Sequence, residues 1–149
     1  MRRNVRFSRS MNWWFYGIFG VLFFSGLFWL AAHYGGGEEA DFDGKFYFFQ
    51  SRLLWIHGAA AMASLVVLGA LIPTHMQRAW EAGKNRATAI AMLSLCGLMV
   101  LTGYGLYYSG SETVRSWMSG FHSIAGCLLP PALVWHIVSG RSKRAHVKK

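Results

Sequence analysis

Six histidines are the residues of this sequence best suited to chemistry: His33, His57, His75, His122, His136 and His146. All but His146 lie in or at the ends of long apolar stretches, where an ionisable side chain is costly and usually functional. His57 and His75 are 18 residues apart. On a helix that is about five full turns, so both fall on one stripe, roughly 27 Å apart along the axis. His122 and His136 are 14 apart, which is nearly four turns, with a drift of roughly 40° and a rise of roughly 21 Å. Imidazoles offered at two depths by rigid helices meet the needs of a porphyrin iron, which takes one neutral ring nitrogen on each face. His146 lies in a basic tail and reads as solvated.

The elements that must position these rings follow from the charge pattern. Apolar residues make up 54% of the 149 and charged residues 14%, against roughly 25% charged in a soluble domain. Four stretches carry no charge: Ser10–Gly37, Leu53–Gln77, Ala87–Ser111 and Ser116–Gly140. Each exceeds the ~20 residues that cross a bilayer as a helix. The sequence therefore predicts an all-α integral membrane four-helix bundle, a single domain with spans at about 12–34, 52–75, 87–108 and 114–139. An ordinary soluble enzyme, a disordered tail protein and a disulfide-stapled module are excluded. Cys96 and Cys127 fall mid-span and read as small core residues. The first span is too long for a signal peptide's apolar region. No internal repeat is evident.

Net charge of +9 is a topology signal here. Twelve of the fifteen basic residues flank the spans on one side, among them Arg2, Arg3, Arg6, Arg78, Lys84, Arg141, Lys148 and Lys149. The other side holds Lys45, Arg52 and Arg115 with five of the six acids: Glu38, Glu39, Asp41, Asp43 and Glu112. By the positive-inside rule both termini are cytoplasmic. Basic tails also suit anionic lipid, and nucleic acid binding is not expected.

Depths match across the helices. His57 and His122 follow Arg52 and Arg115 at the outer side; His75 and His136 precede Arg78 and Arg141 at the inner side. The expected pairs are His57 with His122 and His75 with His136, each ligating one of two b-type haems. Arg52, Arg78, Arg115 and Arg141 lie at the right depths to pair with haem propionates. A lone histidine in a span commonly just hydrogen-bonds a backbone carbonyl or a serine; four at two matched depths favour ligation. His33 reads as an interfacial residue, with a hydrogen bonder to quinone or a ligand replacing one of the outer pair as the alternatives. The seven methionines show no ligand spacing and read as packing, and Pro130-Pro131 reads as a kink.

This layout resembles the four-helix, di-haem b-type cytochrome subunits that anchor respiratory formate dehydrogenases and nickel–iron hydrogenases, and is similar to bacterial b561-type cytochromes. In those anchors the fourth helix carries two haem ligands 14 residues apart, as His122 and His136 are here, and an outer-haem partner comes from helix two, which fits His57. The inner haem's second ligand there comes from the cytoplasmic end of helix one. This chain has no histidine at that end, and His75 is the natural substitute. Tilt and the breaks at Pro73 and Pro130-Pro131 are expected to absorb the difference between roughly 27 and 21 Å.

The resemblance implies an electron carrier of the bacterial inner membrane, part of a hetero-oligomeric complex. It would link a periplasmic redox partner, a c-type cytochrome or an oxidoreductase subunit, to quinone or a cytoplasmic-side partner. Glu38, Glu39, Asp41 and Asp43 form an acidic patch for such a partner, and a quinone pocket is expected around His75, Thr74 and Trp80. The competing reading is a non-redox membrane anchor or assembly subunit without haem. A transporter is disfavoured, because all six acids lie outside the spans.

Overall fold

A computed structural model describes residues 9–35, 44–81 and 85–146, with the side chains of 9–12, 74, 78, 79 and 141–146 left aside. The acidic patch Glu38–Asp43, the basic residues Arg2, Arg3 and Arg6, Lys84, and Lys148 and Lys149 lie outside the described residues. The described chain is helical: α1 (Arg9–Gly35), α2 (Lys45–Leu71), a π-helical turn (Ile72–Met76), α3 (Gln77–Glu81), α4 (Arg86–Tyr108) and α5 (Glu112–His146). Four of these helices are long and apolar enough to cross a membrane: 23 residues at Trp13–Gly35, 27 at Lys45–Leu71, 23 at Arg86–Tyr108 and 29 at Glu112–Gly140.

The helices form two compact units that divide between His75 and Met76. In the first, α1 packs on α2; in the second, α4 packs on α5. Each is a helical hairpin, as a short connection between long helices dictates. In the second unit the antiparallel register runs the length of the seam. Met118 lies beside Gly105, Met99 beside Gly126, and Asn85 beside Gly140.

The elements begin and end where local chemistry directs. Gly44, at φ 61°, turns the chain into α2, and Asn85, at φ 55°, turns it into α4. These left-handed conformations suit Gly and Asn. Ser109 leaves α4 in extended conformation. Two residues later Ser111 caps α5, its Oγ accepting from the Val114 N–H at 3.5 Å and its carbonyl from the Arg115 N–H at 3.0 Å. Glu112 sits in the first turn, where a carboxylate complements the helix dipole.

Two boundaries differ from expectation. α2 starts at Lys45, seven residues before the expected span, and takes the Phe46–Phe49 run into its first turn. α5 continues through Pro130 and Pro131 to His146. Neighbouring helices and side chains in a membrane protein tolerate the two amide donors that these prolines lack.

The packing seams are built from small residues. Among the described residues the buried ones are Ser25, Ala60, Ser64, Thr88, Thr102 and Ala125. Large apolar side chains point outward, with Trp13 77%, Leu101 70% and Tyr107 83% exposed. A soluble core has the opposite arrangement. Lipid is as apolar as leucine, so helices in a bilayer associate through close backbone approach and hydroxyl bonds rather than by hiding large side chains.

Candidate functional site

Hydroxyl side chains at the seams have their own protons committed to the helix that carries them. The Ser25 hydroxyl donates to the Leu22 carbonyl at 3.1 Å, Thr88 to the Asn85 carbonyl at 3.1 Å and Thr102 to the Leu98 carbonyl at 2.7 Å. Such back-bonding satisfies a hydroxyl inside a helix. It also leaves the oxygen lone pairs as acceptors facing the neighbouring helix.

Each of these three oxygens meets a histidine. Ser25 Oγ lies 3.2 Å from His57 Nδ1, Thr102 Oγ1 lies 2.9 Å from His122 Nδ1, and Thr88 Oγ1 lies 2.9 Å from His136 Nδ1. In each contact a hydroxyl oxygen is placed to accept from an Nδ1–H. At His57 a second bond fixes the point: Nδ1 lies 2.9 Å from the Leu22 carbonyl oxygen, which only accepts. His57 is thereby held as the Nδ1–H tautomer, a state that the Thr102 and Thr88 contacts also suit at His122 and His136. In the neutral ring Nε2 then carries the electron pair, which is the form in which histidine binds a metal through Nε2.

The expected ligands are placed as follows. His57 is half-buried on α2 against α1, and its ring lies so close to Gly26 that a Cβ there would come within 2.8 Å of Cε1. His122 and His136 are half-buried on α5, and both meet α4. The 14-residue spacing therefore does place them on one face. His75 lies exposed in the π-helical turn beside Pro73. Single-turn π segments are frequent at functional sites. His57 and His75 belong to the first unit, His122 and His136 to the second.

The arginines are less constrained. Arg52 is exposed, with its guanidinium 4.7 Å from the centroid of Phe48. Arg115 is exposed in the first turn of α5, and Arg78 and Arg141 lie in α3 and α5 with side chains outside the described set. His33, exposed at the end of α1, stacks on Trp29 with ring centroids 4.8 Å apart and planes at 9°. That is the amphipathic aromatic arrangement of an interfacial belt. Trp80 packs under the Arg86 guanidinium at 5.2 Å, and Arg86 also donates to the Trp80 carbonyl.

Among the described residues no three His, Cys, Asp or Glu side chains converge. A metal held by protein ligands alone would need such a cluster. An iron already held by four porphyrin nitrogens needs only two protein ligands, and imidazoles on membrane-length helices, as His57, His122 and His136 are, are suited to supply them.

Ser25, Thr88 and Thr102 are the functional candidates that sequence reasoning missed. One signal was there to read. Thr88 and Thr102 are 14 residues apart on one helix of a hairpin, as His122 and His136 are on the other. In an antiparallel pair equal spacings bring both couples into register. Comparison with protein-family models, with curated proteins and with solved structures gives no match.

Proposed function

We propose that the chain is a membrane electron-transfer cytochrome b in which His57, His75, His122 and His136 ligate two b-type haems. The observation that carries this reading is the shared setting of three imidazoles, each inside a membrane-length helix and each with Nδ1 at hydrogen-bond distance from a seam hydroxyl. Haem, when bound, supplies the one-electron chemistry. The chain's own residues orient the rings, hold the proton on Nδ1 and surround the rings with apolar helix. Arg52, Arg78, Arg115 and Arg141 are the cations offered to propionates. Electrons would pass between a periplasmic redox partner and quinone or a cytoplasmic-side partner. The charge asymmetry supports cytoplasmic termini in a bacterial inner membrane.

One observation also suits a second reading, a non-redox anchor or assembly subunit. The same hydrogen bonds satisfy a histidine that ligates nothing, as buried polar groups require. Purification in mild detergent, reduced-minus-oxidised spectra and a pyridine haemochrome count separate the two. About two b haems per chain is the expected result on the stoichiometry of two axial ligands each. Absence of haem in protein expressed with haem supply would leave the anchor reading standing.

A further inference from the structure

The first and second units hold a histidine in the same way. On α1, Ser25 is followed by Gly26 and faces His57 on α2; on α4, Thr102 is followed by Gly103 and faces His122 on α5. In each case the hydroxyl gives its proton to a carbonyl one turn back and meets Nδ1 of the ring. In each case the ring's Cε1 lies against the glycine, where an added Cβ would stand at 2.8 Å from His57 and 3.5 Å from His122. The residue three positions after each histidine, Ala60 or Ala125, is buried.

Burial shows that these are not incidental contacts. Among the described residues six are buried. Ser25, Ala60, Thr102 and Ala125 belong to the two arrangements just described, and Thr88 serves His136. A hairpin seam that only packed small residues would bury them anywhere along its length. Here the buried hydroxyls Ser25, Thr88 and Thr102 each meet a ring.

We propose that Ser25-Gly26 and Thr102-Gly103 are two copies of one positioning device, which holds His57 and His122 as Nδ1–H tautomers with Nε2 as the electron-pair donor. The proposal deepens the cytochrome reading and rests on it for the purpose of the device. The hydroxyl fixes the proton and the ring rotation, and at Gly26 the missing side chain also gives the ring room to reach the hydroxyl. Partners of this kind orient a ligand and raise its basicity.

The test uses the full chain in lipid bilayers, labelled with 15N-histidine and prepared without haem, then loaded with haem. The His122 resonances are assigned by difference from His122→Gln. Wild type is expected to show His122 protonated at Nδ1. Thr102→Val should give a mixture of tautomers at His122, weaken haem binding by ~10- to 100-fold and shift the midpoint of one haem while leaving the other. Thr102→Ser should restore all three. Wild-type His122 protonated at Nε2, or a Thr102→Val spectrum and midpoint equal to wild type, would overturn the proposal. A wild type that shows the Nδ1–H signal but binds no haem would remove the cytochrome reading and leave the positioning device in place.

Discussion

Gly26 and Gly103 occupy equivalent places beside a histidine ring, yet alanine should be tolerated at one and damaging at the other. At Gly26 the new Cβ would lie 2.8 Å from His57 Cε1 and 3.1 Å from Nδ1. Ordinary contact begins at 3.4 Å, so the ring must retreat from 2.8 to at least 3.4 Å, about 0.6 Å. Nδ1 is bonded to the Leu22 carbonyl at 2.9 Å and to Ser25 at 3.2 Å. A retreat of that size takes the shorter bond toward 3.5 Å, beyond the ~3.2 Å limit of a good N–H···O bond. Overpacking of this kind costs ~1–3 kcal/mol, and a donor left without its acceptor costs ~1–3 kcal/mol. Alanine's helix preference over glycine offsets only ~1 kcal/mol. At Gly103 the Cβ would stand 3.5 Å from His122 Cε1, an ordinary contact, so the helix preference prevails. Thermal unfolding in detergent, read by circular dichroism, should place Gly26→Ala below wild type and Gly103→Ala level with it or above. Haem retention should follow the same order. Equal behaviour of the two variants would refute the argument that Gly26 is present to clear the His57 ring.

Further outcomes follow from the same geometry. Ser25→Ala should disturb haem binding less than Thr102→Val, because the Leu22 carbonyl still accepts the His57 proton; haem titration of the two variants checks this. His122→Gln should lower the pyridine haemochrome count by about one haem per chain, since each haem takes two axial ligands. Asn85→Ala should destabilise the second unit by ~1 kcal/mol, because alanine lacks the short polar side chain that eases asparagine into the left-handed region at φ 55°, and Asn85→Gly, with no Cβ at all, should cost less; urea unfolding in detergent compares them. A fluorescent protein fused to the C-terminus should glow and an alkaline phosphatase fused there should be inactive, as cytoplasmic termini require.

The helical class, the four membrane-length elements and their approximate ends were legible in the sequence. A charge-free run longer than a bilayer leaves one economical conformation, because every backbone amide must be satisfied within the segment. The stripe of His122 and His136 was legible too, since a helix's period is constant. The start of α2 was not. Phe46–Phe49 reads equally as an interfacial loop or a first helical turn, and Gly44's left-handed turn selects the helix. The end of the last helix was not legible either: α5 runs on to His146, seven residues beyond the expected span.

The histidines themselves show where sequence reasoning stops. Residue type and spacing identified His57, His122 and His136 as rings that need partners, but a hydroxyl is common in any span. Only the pairing of helices decides that Ser25, Thr88 and Thr102 are the hydroxyls that meet them. That pairing depends on helix rotation and on clearances of tenths of an ångström at glycines such as Gly26. A linear pattern carries one helix's periodicity at a time; the contact between two helices is set by how closely their backbones approach, and this is a property of the packed hairpin.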